Sequence, residues 1–383
     1  MMSMKKKKMF SGMKNFLNRH KKKFLISGFV IGGAIFVTKF MKKKLIEWQE
    51  QEAKEFLEIT RKEHHFRSTE KTCNQTICSL SKTLKETITK IIDTNDIIEK
   101  IRKNQGDKVH LWNTLKIEVF AQLFSLLYSG LMLVIVLRVQ LNVIGGYMFR
   151  EKMDSQSHDL FSSTFQEHYL SLCHYFLNKG VKDICTLMQI HSRLVLDNIS
   201  LKQKMSLQDI EQVFWSIQSS LNNDPIDPLK NLSKYLLPPV FNTTINKDVD
   251  TIKMKQIIDE TFEILDSDEV KSIADSCIKR AFSNVVDKMY SSFYSMIYPS
   301  TIAMNLTHFG TSSNSNNDDD DYLKTVTKVS MPVAKIIPIV HSIYNDDDSN
   351  DDNENDGLPS WIEQFLLMDN INLLGANLYE AFS

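Results

Sequence analysis

The stretch VFAQLFSLLYSGLMLVIVL, from Val119 to Leu137, contains nineteen consecutive residues without a charge. Its length and hydropathy are those of a helix that spans a membrane. However, Gln122, Ser125 and Ser129 recur at helical spacing and form one mildly polar stripe, and Arg138 continues the helical pattern without a turn. A core helix surrounded by other helices has the same pattern. From these residues alone, a membrane span and a buried core helix both remain open.

The rest of the sequence favours helices. All eight prolines lie at or after Pro225, so proline interrupts no helix in the first 224 residues. The twelve glycines of the chain provide few of the tight turns that an all-β fold needs. We therefore predict an all-α fold, a large bundle of long helices.

Turn-forming residues and a capping signal divide the helical pattern. A break is predicted at Asn104-Gln105-Gly106-Asp107, and Ser206 to Asp209 resembles a capping box. In the first helix, Leu45, Trp48, Phe56 and Ile59 mark an apolar face. The predicted helices are Leu45 to Lys103, about Val109 to about Gly145, Met254 to Met296, Thr325 to Tyr344, and Ser360 to Phe382.

The N-terminal end of the chain is strongly basic. Residues 1–44 contain thirteen Lys and Arg residues and no acidic residue, although the net charge of the whole chain is only −1. Within this region, Phe24 to Thr38 is uncharged and spans ~22 Å as a helix, short of a hydrocarbon layer of ~30 Å. A span is completed if the helix extends to Met41 and Lys39 reaches the interface. A cleaved signal peptide and an interfacial helix are the alternatives.

These features predict the domain organisation of the chain. The predicted parts are a basic targeting tail at residues 1–23, a single membrane anchor at residues 24–41, and a helical bundle at residues 42–383. Within the bundle, the low-complexity segments at about 310–321 and 345–356 are rich in Asn, Asp and Ser, which predicts disordered acidic insertions. Because the rest of the bundle is close to neutral, we expect no nucleic-acid partner.

No motif of a catalytic, cofactor or metal site is present. The chain lacks a phosphate-binding loop and the sequences GxGxxG, HExxH and GxSxG. Its five cysteines form no CxxC pair and show no spacing typical of metal ligands. We therefore predict no catalytic, cofactor-binding or metal-binding residue, no cofactor, and a protein that is not an enzyme.

Trp112 stands out as a candidate for binding another protein. It follows the predicted turn at residues 104–107 and shares one helical stripe with Leu115 and Val119. The preceding helix ends in branched apolar residues that are flanked by bases, namely Ile97, Ile98, Ile101, Arg102, Lys103 and Lys108. Two helix ends of this composition could form a groove for an acidic amphipathic helix. The alternative is that Trp112 fills the end of the bundle.

Several blocks of sequence carry a family resemblance, and their order covers most of the chain apart from the acidic insertions and roughly residues 150–165. They are His65-Phe66-x-Ser68, Thr72-Cys73-Asn74-x-Thr76, Leu111-Trp112-x-x-Leu115-Lys116, VLRVQLNVIGGY from Val136 to Tyr147, PVAKIIPIV from Pro332 to Val340, and LYEAFS from Leu378 to Ser383. On these blocks, the chain resembles the peroxin-3 family.

The resemblance implies a docking receptor in the peroxisomal membrane, with a single N-terminal anchor and a helical bundle that faces the cytosol. Its implied partners are membrane lipids and the shuttle receptor peroxisomal biogenesis factor 19, which supports insertion of peroxisomal membrane proteins. An amphipathic helix near the N-terminus of that receptor lies in a groove at one end of the bundle. Val119 to Leu137 is then a buried core helix.

The resemblance also assigns residues by position. The groove tryptophan corresponds to Trp112, with Leu115 beside it and Lys108 at the rim. Ile101 and Arg102 stand where the family has leucine and lysine at the groove edge. The implied structural residues near the groove are Leu133 and Asn142.

Two further interpretations of the chain compete with this one. It could be a membrane-tethered helical adaptor that recruits another cytosolic partner for organelle tethering or inheritance, or a polytopic protein that uses both apolar runs as spans. The charges add a conflict over orientation, because nine bases precede the uncharged run Phe24 to Thr38 and four follow it closely. The positive-inside rule then favours a cytosolic N-terminus, whereas the resemblance implies the reverse, which we follow.

Overall fold

The computed structural model describes residues 3–153, 161–238, 249–297, 330–343 and 360–383, with side chains from Met41 onward in the first range. These residues fold almost entirely as helices. The helices are α1 (Ser3–Ile91), α2 (Thr94–Arg102), α3 (Lys108–Met153), α4 (Ser163–Leu170), α5 (Cys173–Tyr175), a π-helical turn (Phe176–Gly180), α6 (Val181–Leu196), α7 (Leu207–Asn222), α8 (Leu232–Leu236), α9 (Val249–Leu265), α10 (Asp268–Ile297), α11 (Val333–Ser342), α12 (Ser360–Leu366) and α13 (Asp369–Phe382). The predicted all-α fold is confirmed.

The chain divides into two compact units, Met1–His64 and His65–Ser383. The candidate anchor at residues 24–41 lies almost wholly outside the residues with described side chains, as do the predicted insertions at 310–321 and 345–356. In the first unit, the predicted apolar face of α1 is exposed, because Leu45, Trp48, Phe56 and Ile59 each keep more than half of their surface accessible.

Helix α3 is the centre of the second unit. Every residue from Leu115 to Tyr147 is buried. The helix is long and apolar enough to cross a membrane, yet its most apolar window lies completely inside the protein, where α13 and α6 make the most extensive contacts with it. Val119 to Leu137 is therefore a core helix, and its absence of charge reflects enclosure by other helices.

A buried ion pair joins α1, α3 and α13. Arg138, which is 1% exposed, pairs with Glu70 and also donates from Nη2 to Asn74 Oδ1 at 2.8 Å and Asn372 Oδ1 at 3.2 Å. Asn142 donates to Glu70 Oε1 at 3.1 Å. These contacts offset part of the cost of burying the guanidinium, because both terminal nitrogens have partners, whereas the buried Nε has none.

Several predicted helices have different bounds in the structure. The helix predicted from Leu45 to Lys103 is interrupted after Ile91, because the Asp93 carboxylate caps α2 by accepting from the Asp96 N–H at 2.9 Å. The helix predicted to end near Gly145 continues to Met153. Gly145 and Gly146 are needed for close packing, since a Cβ there would lie 2.9 Å from Thr69 and 2.7 Å from Phe382.

The C-terminal predictions also need correction. Met254 to Met296 contains two helices, α9 and α10, and Ser360 to Phe382 contains α12 and α13. The helix predicted from Thr325 to Tyr344 starts only at Val333, after strand β2 (Ser330–Pro332). This strand pairs antiparallel with β1 (Lys204–Ser206), with Met205 opposite Met331. Backbone bonds from Val333 N to Gln203 O and from Ala334 N to Leu201 O then fix the start of α11.

Candidate partner-binding groove

A groove lies where α2, α3 and α11 meet. It encloses a cavity of about 690 Å³. Helix α2 contributes Asn95, Ile98, Glu99, Ile101 and Arg102, helix α3 contributes Trp112, Leu115 and Val119, and helix α11 contributes Ile337, Pro338 and His341. Its composition, apolar walls with a few polar groups, is typical of a site that takes the apolar face of a helix.

The turn between α2 and α3 brings two walls of the groove together. Asn104 and Gly106 adopt left-handed conformations, with φ of 54° and 92°. Gly and Asn adopt this conformation at a lower energetic cost than most other residues, and it allows the chain to reverse direction here. Asp107 then starts α3, because its Oδ1 accepts from the Val109 N–H at 2.9 Å. The break predicted at residues 104–107 is confirmed, and it places Ile101 and Arg102 beside Trp112.

Three polar side chains connect the helices next to the cavity. Thr94, which is fully buried, donates from Oγ1 to Gln122 Oε1 at 3.3 Å. The same Oγ1 lies 3.1 Å from His341 Nε2. A hydroxyl has a single hydrogen, so the imidazole must donate in the second bond. This chain of bonds ties α11 to α2 and α3 and keeps the His341 ring in a fixed orientation.

The rim of the groove retains positive charge. Lys100 pairs with Asp96, and Lys103 pairs with Glu99 at 2.7 Å, so these two bases are compensated within α2. By contrast, Arg102 and Lys108 have no ion-pair partner among the described residues. Both are exposed. Two uncompensated cations beside an apolar groove favour the approach of an acidic partner.

The structure brings together four of the five residues assigned to the groove. Ile101, Arg102, Trp112 and Leu115 line the cavity, whereas Lys108 stands exposed on the first turn of α3 and is not part of the lining. Trp112 is half-buried, and Leu115 is 2% exposed. Of the two residues assigned a structural role, Leu133 is fully buried in α3 and Asn142 belongs to the polar junction around Arg138.

Sequence reasoning missed the wall formed by α11. Ile337, Pro338 and His341 lie more than two hundred residues after Trp112, and only tertiary packing places them next to it. The block PVAKIIPIV drew attention to this region as a family motif without indicating a site. Asn95 and Glu99 were missed as well, because the break before α2 was not predicted.

Lys116, the residue after Leu115, is buried near the N-terminal end of α3. Its Nζ donates to Ile199 O at 2.6 Å and to Asn113 Oδ1 at 3.3 Å. Burial lowers the pKa of this amino group, and the nearby charge of Asp197 partly opposes the change. Lys116 therefore holds the end of α3 to the segment after α6 and does not add to the exposed charge of the rim.

The buried cysteines and His191 of the second unit have surroundings typical of structural residues. Burial raises the pKa of Cys73, Cys173 and Cys185 to about 12, so these thiols stay protonated. His191 contacts Ser220 through Nδ1 at 2.7 Å and Asp224 through Nε2 at 3.1 Å. In a serine hydrolase the catalytic histidine contacts the serine through Nε2 and the acid through Nδ1, which is the reverse of the arrangement at His191. The described residues contain no group of His, Cys, Asp and Glu able to hold a metal ion.

Comparison with known proteins identifies the family. A sequence model of the peroxin-3 family matches residues 15–108, 102–151 and 148–354. The chain belongs to the peroxin-3 family. It is 32% identical to peroxisomal biogenesis factor 3 of Rattus norvegicus over 98% of both chains, and 32% identical to the protein of that name from Homo sapiens over 96% of both. Peroxisome biogenesis factor 3 of Dictyostelium discoideum is 23% identical, over 73% of this chain and 74% of its own. Membership in this family gives the chain a role in peroxisome biogenesis.

Proposed function

We propose that this protein is a docking receptor in the peroxisomal membrane, which binds peroxisomal biogenesis factor 19 and so supports insertion of peroxisomal membrane proteins. The anchor is residues 24–41, and the helical bundle faces the cytosol. Peroxin-3 membership supports a site for a partner protein. The observation that carries the proposal is the groove between α2, α3 and α11, which presents a half-buried tryptophan on a wall of branched apolar residues.

The chemistry of the groove suits an amphipathic helix. Such a helix inserts apolar residues at a spacing of three and four, and Ile101 of α2 and Ile337 of α11 line the same cavity as Trp112 and Leu115 of α3. Covering Trp112 completely would contribute about 2–4 kcal/mol, the range of a binding hot spot. Arg102 and Lys108 would increase the association rate with an acidic partner more than the affinity.

The test is calorimetric binding of peroxisomal biogenesis factor 19 to the full chain in detergent, with Trp112→Ala and Trp215→Ala compared. Trp215 is the matched control, because it is 48% exposed on α7 and does not line the groove. We expect Trp112→Ala to weaken binding more than tenfold, which is about 1.4 kcal/mol or more, and Trp215→Ala to leave it unchanged. Far-UV circular dichroism should show equal helicity in all three proteins.

Three results would contradict parts of the proposal. Unchanged affinity of Trp112→Ala would remove Trp112 from the binding site. Loss of helicity in this variant would mean that Trp112 is a core residue. No binding by a well-folded wild-type chain would exclude the docking function, and a membrane-tethered adaptor for another cytosolic partner would replace it.

A further inference from the structure

An exposed apolar surface begins directly after the candidate anchor. Met41, Leu45 and Trp48 on α1 are 64%, 53% and 62% exposed. At 100° per residue, these three side chains fall within an arc of about 60° and form one face two turns long. Exposed residues of this size in a continuous patch indicate a contact surface. We call Met41, Leu45 and Trp48 the collar face.

Lysines flank the collar face on both sides. Lys42 and Lys44 project from the helix on its two edges, and neither has an acidic partner among the residues whose side chains are described. Lys43 points away from the face and pairs with Glu47 at 3.8 Å. An apolar strip with a tryptophan, bordered by unpaired lysines, has the chemistry of the boundary between acyl chains and phosphate groups in a bilayer.

The position of the collar face along α1 also agrees with contact to a bilayer. The uncharged run from Phe24 to Thr38 spans ~22 Å, about 8 Å less than a hydrocarbon layer of ~30 Å. Leu45 lies seven residues after Thr38, which is about 10 Å along the same unbroken helix. The collar face can therefore supply, on one side of the helix, the apolar length that the run itself lacks.

A second copy of the chain fits this surface less well. In a coiled coil, the seam that contains Leu45 and Trp48 would continue through residues 52, 55 and 59. Positions 52 and 55 are both glutamate. Two acidic residues in consecutive seam positions disfavour pairing of identical helices, and they also mark the end of the surface that lipid can cover.

We propose that the collar face lies at the acyl-chain boundary of a phospholipid bilayer, with Lys42 and Lys44 contacting lipid phosphates, so that it sets the depth and tilt of the anchor. The inference rests on the membrane location proposed above. It predicts contact with lipid for residues 41–48 and no contact for Phe56, which is on the same side of α1 but beyond Glu52 and Glu55.

The experiment measures tryptophan fluorescence of the full chain reconstituted in vesicles of phosphatidylcholine and phosphatidylinositol. Part of the phosphatidylcholine carries bromine near the glycerol end of its acyl chains, which quenches nearby indoles. Subtracting the spectrum of Trp48→Phe isolates Trp48 from Trp112, Trp215 and Trp361. The matched variant Trp48→Phe/Phe56→Trp keeps the composition and moves the indole about 12 Å along the same helix.

We expect Trp48 to lose most of its emission in brominated vesicles and the indole at position 56 to lose none. Unquenched Trp48 in a chain that floats with the vesicles would overturn the inference alone. Equal quenching at positions 48 and 56 would also overturn it, because the whole exposed segment would then lie on the bilayer. A chain that does not float with the vesicles would overturn both the inference and the proposed membrane location, while calorimetry would still test docking separately.

Discussion

One apolar region of α3 and one of α1 have opposite environments. In α3, all residues from Leu115 to Tyr147 are buried. In α1, Met41, Leu45, Trp48 and Phe56 each expose more than half of their surface. The first region has no charge on any side between Val119 and Leu137, whereas the second is apolar on one side only. A helix without charge on any side requires complete enclosure. A helix that is apolar on one side needs only a single contact surface, which a partner outside the helical bundle can provide.

The largest difference between α3 and the exposed part of α1 is expected when a charge is left unpartnered next to the enclosed helix. Arg138→Met deprives Glu70, Asn74 and Asn372 of their shared partner, and we expect it to lower the free energy of unfolding by about 3–5 kcal/mol. Lys54→Met, on the exposed part of α1, should change it by less than ~0.5 kcal/mol. Urea unfolding in detergent, followed by circular dichroism, measures both. Equal effects would mean that the ion pair does not hold α1, α3 and α13 together, and adding Glu70→Gln to Arg138→Met should recover part of the loss.

A matched leucine pair gives the next largest effect. Leu127 in α3 is fully buried, and Leu45 in α1 is 53% exposed. Truncation of Leu127 to Ala should cost about 2–5 kcal/mol through lost burial and a new cavity. Leu45→Ala should change the free energy of unfolding by less than ~0.5 kcal/mol. The same urea titrations compare the two variants. A large effect of Leu45→Ala would show that this side chain is enclosed by protein and would argue against lipid as its environment.

The smallest effect is expected at the start of α7, a helix with one buried and one exposed side. Ser206 Oγ accepts from the Asp209 N–H, and the Asp209 carboxylate accepts from the Ser206 N–H, so the predicted capping box is confirmed. These bonds lower the pKa of Asp209, with the backbone N–H as the larger cause. The stabilisation is therefore present above the ordinary carboxyl pKa of about 4 and disappears as pH falls through the lowered value.

Asp209→Asn should accordingly cost a few tenths to about 1 kcal/mol at pH 7, and the difference from wild type should shrink below about pH 4. Urea titrations at a series of pH values measure this difference. Glu211→Gln, two residues further along α7 and also exposed, serves as the control. A difference that stays constant down to about pH 3 would show that the Asp209 carboxylate does not act as a charged acceptor in the capping box.

Local signals accounted for much of the fold. The left-handed residues Asn104 and Gly106 and the capping box at Ser206 each act within a few residues of chain, so the sequence alone was sufficient to locate these breaks. The choice between span and core for Val119 to Leu137 came from the family resemblance. Hydropathy could not decide it, because a bilayer and a shell of helices impose the same requirement on α3.

The errors of prediction have a common physical cause. Gly145 and Gly146 were interpreted as a turn, but α3 continues through them, and both glycines pack closely against Thr69 and Phe382. In the groove, Trp112 and Ile101 are close in sequence and were found, whereas Ile337 and His341 come from α11 and were not. Their position depends on the β1–β2 pairing, a contact between segments far apart in the chain.

The enclosure of α3 has a consequence for synthesis of the protein. Helix α13, which covers much of α3, begins at Asp369, so residues 154–368 must be translated after α3 is complete and before this cover exists. At ~5–20 residues per second, this interval lasts roughly 10–40 s. During that time a nascent segment with the hydropathy of a transmembrane helix is without part of its final shell, and the ribosome-associated machinery that recognises such segments has the opportunity to bind it. The order of synthesis therefore leaves α3 without its α13 cover until the last part of the chain is made.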